Sequence, residues 1–290
     1  MASNPTAPTP AGASPTNHGL RVIVAWIVLS VIATPLVAIF VGPILPPGND
    51  SVQASGQVLD NTVLTATITP VLCLLLVFFV YSLTTFHAPA ATALEDGPPL
   101  RNHNGIQVTW IVITSAVVLA LAGFGTFELL QTGSGGGQGP SPVANPSGVN
   151  HMMQVQVIGQ QWNWTYRYPG YGGVETQQLF LPEHTYVQLN VTSLDVIHSF
   201  WAYKLGVKAD ANPGVNNVAY VKTKGPLSFE IRCAELCGLW HGYMYQTGHI
   251  VPQTAFASWI KQQRKLGSSV SFYLPKYSHF YYPDPQRRGG

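Results

Sequence analysis

The chain of 290 residues is 46% hydrophobic and only 9% charged, and its formal net charge is +2. This balance indicates a membrane protein rather than a wholly soluble one. We therefore expect membrane lipid among its partners and no nucleic acid.

Three apolar stretches are each long enough to cross about 30 Å of hydrocarbon as a helix. The first follows His18 and Arg21, and it predicts either a retained extra helix or a signal segment that is later removed. No Lys or Arg occurs in residues 42–60, whereas Arg101 lies between the second and third stretches. This bias favours a cytoplasmic N-terminus and an exported C-terminal half. The three stretches are Val22–Val41, Thr62–Leu83 and Ile106–Leu130.

From residue 151 the pattern changes to short runs in which apolar and polar residues alternate, separated by turn residues. Period-two alternation predicts antiparallel strands, and several of them in about 110 residues predict a small β-sandwich or barrel. One helix, near residues 254–263, is expected to close this domain. The runs are Gln154–Val157, Trp162–Tyr166, Thr185–Leu189 and Leu227–Ile231.

The remaining segments are polar or irregular. The N-terminus has too few large apolar side chains to fold, and the Gly- and Pro-rich residues after the third stretch are typical of a flexible linker. The predicted order is a disordered N-terminus (1–19), an extra transmembrane helix or signal segment (20–42), an exported loop (43–61), a transmembrane helix (62–84), a cytoplasmic loop (85–105), a transmembrane helix (106–130), a linker (131–150), a β-domain (151–266) and a C-terminal extension (267–290), to which we assign no function.

Two thiols, an imidazole and a thioether occur within twelve residues, at Cys233, Cys237, His241 and Met244. Soft sulfur combined with imidazole selects copper over hard cations. A histidine from elsewhere in the fold usually completes such a site. His198, which follows a predicted strand, is the candidate.

Three other interpretations of this segment are open. Cys233 and Cys237 could form a disulfide, which is the default for a close pair in an oxidising compartment. The four residues could lie on one face of an α-helix, although Gly238 and Gly242 favour a loop after a strand. A single-copper electron-transfer site has two His, one Cys and a weak Met, and it leaves the second cysteine unexplained.

Residues 62–260 resemble subunit II of the haem-copper cytochrome c oxidases, and residues 233–244 match the family's binuclear copper motif without a gap. The resemblance implies a membrane-anchored all-β protein in which transmembrane helices precede a cupredoxin-like β-sandwich or barrel. It also implies two copper ions, the CuA centre, bridged by the thiolates of Cys233 and Cys237.

The same resemblance implies the other ligands. His198 and His241 would each supply a nitrogen, Met244 a weak sulfur, and Glu235 its backbone carbonyl. The Glu235 side chain would reach a magnesium ion shared with subunit I. Trp162, in a segment that resembles the family's aromatic segment, would be the surface residue through which electrons enter.

The function that the resemblance implies is acceptance of electrons from a cytochrome c-type donor. The chain would pass them to the haem of subunit I, where oxygen is reduced to water in a proton-translocating complex. Its partners would be subunit I, other oxidase subunits, the donor and membrane lipid. The expected location is the bacterial inner membrane, crossed several times, with the CuA domain on the periplasmic face.

The chain departs from the family in three respects. The family has two spans, so the first one here is additional. Gln107 stands where relatives carry a glutamate at a proton-uptake entrance, and a neutral amide cannot titrate. Glu128 lies at the wrong end of the span to replace it, so we do not carry over a proton-uptake role.

The third departure is charge. From residue 151 onward twelve Lys and Arg stand against seven Asp and Glu, a formal charge of +5, whereas relatives bind basic cytochromes on acidic patches. We therefore expect a donor that is not strongly basic, being acidic, uncharged or physically tethered. An acidic patch formed by Asp195, Asp210 and Glu183 would undo this prediction.

Two other functions compete with this interpretation. A membrane-anchored copper carrier or assembly protein could use two thiols to bind and pass on one Cu(I), but it needs exposed, exchangeable ligands. The quinol-oxidising relatives of subunit II lack the copper ligands, and this chain has all of them.

Overall fold

The computed structural model describes residues 17–85, 103–133, 146 and 149–270. Most of the predicted N-terminal segment, the loop between the second and third spans, most of the linker and nearly all of the C-terminal extension lie outside the described residues. The described chain forms two compact units. The first contains residues up to 41 together with those from 63 to the end of the second helix, and the second contains residues 42–62 and everything from residue 103.

Among the described residues, three helices are long and apolar enough to cross a membrane. Helix α2 begins ten residues before the predicted second span. Hydropathy places the start at residue 62 because the first ten residues of the helix are largely polar or small, as Gln53, Gln57 and Asp60 illustrate. The helices are α1 (His18–Leu36, continued by a π turn at Val37–Val41 and a 3₁₀ turn at Gly42–Ile44), α2 (Val52–Thr85) and α3 (Asn104–Thr132).

Two polar contacts join α1 to α2. The indole Nε1 of Trp26 donates to the carbonyl oxygen of Pro70 at 2.8 Å, and Nδ1 of His18 lies 2.8 Å from the Tyr81 hydroxyl. The hydrocarbon of a membrane cannot form hydrogen bonds with an indole N–H or an imidazole nitrogen. A second helix that supplies a hydrogen-bond partner therefore stabilises the association of the two helices in lipid. The retained extra helix stays a prediction, and these contacts favour it.

Gln107 and Glu128 occupy opposite ends of α3. Gln107 lies in the first turn and Glu128 in the last turn of this helix of 29 residues. At about 1.5 Å per residue the two side chains are separated by roughly 30 Å. Glu128 therefore cannot take the place of a titratable group at the Gln107 end.

In the described part of the chain, ten strands form two five-stranded sheets, with orders β3-β2-β1-β5-β8 and β4-β10-β9-β6-β7. Membrane helices followed by a β-sandwich are the predicted fold class, which is confirmed. The strands are β1 (Met153–Gln160), β2 (Asn163–Tyr168), β3 (Val174–Thr176), β4 (Phe180–Pro182), β5 (Tyr186–Ser193), β6 (His198–Ala202), β7 (Val207–Ala211), β8 (Asn217–Lys222), β9 (Leu227–Cys233) and β10 (Tyr245–Val251).

The prediction of antiparallel pairing throughout is wrong at two places. Strands β1 and β5 pair in parallel, and so do β4 and β10. Alternation of apolar and polar residues indicates only that one face of a strand is buried. In a sandwich, one face of each strand is buried whether its neighbours are parallel or antiparallel. The direction depends on the strands between, because β2 and β3 extend the first sheet and β4 then joins the edge of the second.

The core lies between the sheets and is formed by the inward-facing residues of alternating strands. Trp164 and Tyr166 of β2 are fully buried, and the Phe200 ring of β6 packs edge-on against both. Edge-to-face aromatic pairs stabilise a core beyond the effect of the apolar area that they bury. Aliphatic members of the same core are Val155, Val157, Leu189, Val191, Leu205 and Ile231.

Helix α4 (Gln253–Val270) covers one edge of the sandwich, where the helix near residues 254–263 was predicted. Trp259 stacks on Phe180 with ring centroids 4.4 Å apart and meets the Tyr168 ring edge-on. The Tyr168 hydroxyl donates to the Phe180 carbonyl at 3.0 Å and accepts from the Phe180 N–H at 2.9 Å. Burial raises the pKa of Tyr168, so it remains a neutral donor.

Candidate metal centre

The segment from Cys233 to Met244 is a loop that joins two antiparallel strands. Cys233 ends β9, and its N–H donates to the Met244 carbonyl at 3.0 Å, so the loop closes on itself. Gly238 has a φ of +112°, which glycine adopts without strain. A 3₁₀ turn at His241–Tyr243 completes the loop. The alternative that places the four residues on one face of an α-helix is therefore wrong.

The loop brings its donor atoms together around Cys237. Its Sγ lies 3.8 Å from Sγ of Cys233, and both cysteines are free. Nδ1 of His241 is 3.5 Å and Sδ of Met244 is 3.9 Å from the same Cys237 sulfur. The structure thus has two separate thiols at this place and not the alternative disulfide.

His198 reaches the loop from the first position of β6, which is hydrogen-bonded to β9. Its Nδ1 lies 3.9 Å from Sγ of Cys233. The ligand atoms of His198, Cys233 and Cys237 are all within 4.8 Å of one another, and the three residues are buried. The histidine predicted from a distant part of the sequence is therefore part of the same cluster.

This donor set fits copper. Thiolate, imidazole and thioether groups suit soft and intermediate metals, whereas magnesium and calcium require oxygen ligands. Burial, and then the neighbouring Cys233 thiol, raises the pKa of the Cys237 thiol well above its ordinary value. The Cys237 thiol therefore keeps its proton until a cation replaces it.

Asp195 holds His198 in one orientation. Its Oδ1 lies 2.9 Å from Nε2 of His198 and also accepts from the Val196 N–H at 2.7 Å. Partial burial acts to raise the pKa of Asp195, but hydrogen bonds from the Gln161 N–H, His198 and the Val196 N–H lower it overall. Nε2 of His198 therefore donates to the carboxylate, and Nδ1 is the ring nitrogen that faces Cys233.

Trp162 contacts the same loop through its indole. Nε1 of Trp162 donates to the Cys237 carbonyl at 3.1 Å, and Nε2 of Gln161 donates to that oxygen at 2.9 Å. A Cβ on Gly238 would lie 3.1 Å from Nε2 of Gln161 and 3.3 Å from Cζ2 of Trp162, so only glycine allows this approach. The half-buried Trp162 ring is thus in hydrogen-bond contact with a residue of the thiol pair.

Sequence reasoning missed the supporting roles of Asp195 and Gln161. The Oδ2 atom of Asp195 accepts from the Gln161 N–H at 2.7 Å, so one carboxylate holds both the His198 ring and the turn before Trp162. The signal in the sequence was an acid three residues before the candidate histidine. An acid at that spacing is common in turns, and only the fold shows what it binds.

Glu235 contributes a backbone carbonyl to the cluster. Its oxygen accepts from the Cys233 thiol at 3.2 Å, while the residue as a whole is exposed. The carbonyl therefore lies beside the sulfur cluster.

The three acids that could have formed one patch do not lie together. Glu183 precedes β5 and Asp195 follows it, and a strand of eight residues separates them by roughly 26 Å. The Asp210 carboxylate accepts from the Ser199 hydroxyl at 2.8 Å. Asp195 and Asp210 thus each bind a residue at the start of β6, beside the metal cluster, whereas Glu183 lies at the other end of β5.

The family model for the periplasmic domain of cytochrome c oxidase subunit II matches residues 174–251. Cytochrome c oxidase subunit 2 of Podospora anserina is 33% identical over 184 residues, which are 54% of this chain and 68% of the relative. The probable cytochrome c oxidase subunit 2 of Rickettsia bellii is 26% identical over 217 residues, 67% of this chain and 76% of the relative.

A solved structure is also similar. The crystal structure of the periplasmic domain of subunit II of the Bradyrhizobium japonicum cytochrome oxidase is 31% identical to this chain. The match covers 39% of this chain and 94% of that one, with a TM-score of 0.38.

Proposed function

The chain belongs to the cytochrome c oxidase subunit II family, and from that premise we propose that it is the subunit through which electrons enter a terminal respiratory oxidase. Membership makes it part of an oxidoreductase complex that contains other oxidase subunits. It accepts electrons from a cytochrome c-type donor and passes them to the haem of subunit I, which reduces oxygen to water.

The observation that carries the proposal is the buried cluster of His198, Cys233 and Cys237, with ligand atoms within 4.8 Å of one another. A bound copper pair would supply a centre that gains and loses one electron. Cys233 and Cys237 would each supply a thiolate. His198 and His241 would supply one nitrogen each, and Met244 and the Glu235 carbonyl the weak contacts.

The protein's contribution is a fixed and dry set of ligands. His198, Cys237 and Met244 each expose 3% or less of their surface. Asp195 and the short loop restrict the movement of the imidazole and the thiols, so little rearrangement accompanies a change of charge. The same burial argues against the copper carrier, which needs ligands that a second protein can reach.

Trp162 offers a route from the protein surface to the cluster. Its ring is half-buried, and the Nε1–H to Cys237 carbonyl contact joins it to the backbone of a cysteine ligand. An electron that arrives at this ring therefore does not have to cross a wide gap to reach the Cys237 sulfur. This geometry supports Trp162 as the residue through which electrons enter.

The loop also presents apolar side chains to a partner. Monomeric soluble proteins rarely expose a contiguous patch of this kind, so it favours a surface covered by another subunit. Glu235 is exposed in the same loop, which supports a magnesium ion shared between its carboxylate and subunit I. The exposed apolar and aromatic residues are Leu236, Leu239, Trp240, Tyr243 and Tyr245.

The chain is a membrane-anchored subunit with a periplasmic domain. The finer proposal is a protein of the bacterial inner membrane that crosses it three times, with the copper domain on the periplasmic face. An N-terminal tag on the cytoplasmic side and a C-terminal tag on the periplasmic side of intact cells is the expected result. Both tags on one side would contradict it.

The donor is proposed to be a cytochrome that is not strongly basic. The formal charge of +5 from residue 151 onward supports this, and Glu183 lies at the opposite end of β5 from Asp195. With a basic cytochrome c, the association rate constant should rise as salt screens the repulsion. A rate that falls steeply with salt, measured by stopped-flow mixing, would show acidic docking instead.

Electron paramagnetic resonance with copper quantitation on the full chain in detergent tests the proposal. About two coppers per chain and one unpaired electron shared evenly between them are expected. One tightly held Cu(I), or a chain that takes up no copper, would instead favour the carrier or a purely structural role.

The absence of a side chain at Gly159 is needed for the proposed site. A Cβ at this position would lie 3.0 Å from Cδ2 of His198 and 3.1 Å from Cζ3 of Trp164. Gly159→Ala should therefore displace the imidazole by a few tenths of an ångström and lower copper affinity by about tenfold or more, as for other supporting residues of metal sites. Competitive titration with a Cu(I) chelator measures this.

Gly170→Ala is the matched control, because no atom lies within 4 Å of the added Cβ. Unchanged copper affinity in Gly159→Ala, with both variants folded, would show that His198 does not depend on this clearance.

A further inference from the structure

Ser51 and the first residues of α2, together residues 51–57, contact the β-domain, which lies more than a hundred residues later in the sequence. We call these residues the docking segment. Ser51, Gln53 and Ala54 are almost completely buried, although they precede the apolar part of the helix. Polar residues that are buried at a helix start need partners, and the β-domain supplies them.

Ser51 begins the helix and binds the β-domain with the same hydroxyl. Its Oγ accepts from the Ala54 N–H at 2.9 Å, the usual N-cap contact, and donates to the Leu205 carbonyl at 2.6 Å. Six residues later Nε2 of Gln57 donates to the Gly206 carbonyl at 2.7 Å. Two successive carbonyls of the β6–β7 turn are thus hydrogen-bonded to one helix.

Gln53 joins three elements. Its Nε2 donates to the Thr132 carbonyl at the end of α3, at 2.7 Å. Its Oε1 accepts from the Lys222 N–H at the end of β8, at 2.8 Å. The Thr132 carbonyl is one of the last four in its helix and has no partner within that helix. A single buried amide therefore connects α2, α3 and the first sheet.

Close packing accompanies these hydrogen bonds. Gly206 has a φ of +64°, and a Cβ there would lie 2.9 Å from Cα and 3.0 Å from N of Ala54. Both atoms belong to the backbone, so neither can move aside like a flexible side chain. Lys224 adds a contact from its Nζ to the Ser55 hydroxyl at 2.5 Å.

We propose that the docking segment fixes the β-domain on the ends of α2 and α3, with Gln53 as the positioning residue that holds all three together. The domain is then held by direct contacts and not only by the predicted linker at 131–150. The docking segment then also sets the distance from the copper ligands to an electron acceptor in the membrane. This consequence rests on the proposed function.

A chain that can be cut in the linker tests the docking directly. A protease site is placed within residues 134–145 of the full chain, which carries an N-terminal tag and is held in detergent. After cleavage, the wild-type β-domain should stay bound to the tagged helices. Release of the wild-type domain would overturn the proposal, and this readout needs no copper.

Three variants test the two hydrogen bonds of Gln53 and the close packing at Gly206 separately. Gln53→Met keeps the length but neither hydrogen bond, Gln53→Glu keeps the acceptor for the Lys222 N–H but cannot donate to Thr132, and Gly206→Ala forces the backbones apart. Because a lost hydrogen bond weakens binding by about tenfold, retention should fall in the order wild type, Gln53→Glu, Gln53→Met. Gly206→Ala should also release the domain.

Gln262→Met is the matched control, since Gln262 is an exposed glutamine of α4, and it should retain the domain. Gln53→Met and Gly206→Ala domains that stay bound like the wild type would overturn the proposal. The copper spectrum of a released domain should match that of the wild type, which separates loss of docking from unfolding.

In the assembled oxidase, Gln53→Met should slow electron transfer from copper to haem at an unchanged copper potential. If the variant releases the β-domain in the isolated chain but transfers electrons at the wild-type rate in the assembled oxidase, the positioning role of Gln53 is overturned. Failure to find any copper would instead overturn the proposed function and leave the docking result standing.

Discussion

His198→Ala should abolish the shared-electron copper signal of this chain. His198 is fully buried and supplies an imidazole that the loop itself cannot replace, because the other nitrogen ligand, His241, already contacts Cys237. The substitution also removes the imidazole that the Asp195 carboxylate binds. Copper affinity should fall by more than about 100-fold, beyond the loss caused by altering supporting residues alone.

The measurement is copper content and electron paramagnetic resonance of the purified variant, with circular dichroism of the metal-free chain as a check on folding. His249→Ala is the control, because this β10 histidine binds the Ser228 hydroxyl at 2.9 Å and belongs to no ligand cluster among the described residues. A folded His198→Ala chain that keeps the shared-electron signal would exclude His198 as a ligand.

Trp162→Phe should slow reduction by a cytochrome donor by at least about tenfold, equivalent to about 1.4 kcal/mol of activation free energy. Phenylalanine keeps an aromatic ring but lacks the N–H that donates to the Cys237 carbonyl at 3.1 Å. The direct contact between the ring and the ligand loop is therefore lost. The copper ligands themselves are untouched, so copper content should not change.

Stopped-flow reduction by the cytochrome and by a small-molecule reductant separates these effects. A small molecule can reach the centre by other routes, and its rate should remain near that of the wild type. Trp201→Phe is the control, since this exposed tryptophan packs edge-on against Tyr203 rather than on the loop. Equal cytochrome rates for wild type and Trp162→Phe would exclude the ring as the route.

The metal loop was predictable because its chemistry is local. Cys233, Cys237, His241 and Met244 fall within one turn between two strands, and their side-chain types alone select a soft metal. The spans were predictable for a similar reason, since hydrophobicity over about twenty residues depends on no distant contact. The strand positions followed from alternation, which burial on one face produces directly.

Helix boundaries and pairing directions were not predictable in the same way. Residues 52–61 look like the end of a loop by hydropathy, yet they are helical because their polar side chains bind a domain more than a hundred residues away. The parallel pairing of β1 with β5 depends on where the intervening strands go. Neither fact is encoded in the local pattern.

The sequence by itself determined three helices long and apolar enough to cross a membrane, a β-domain and a cysteine–histidine–methionine loop suited to copper. Only the tertiary structure decided that Asp195 orients His198 and holds the turn before Trp162, and that Gln53 joins two helix ends to a sheet. The physical reason is that a ligand's type is a property of its side chain. A hydrogen bond between distant residues exists only after the chain entropy of bringing them together has been overcome.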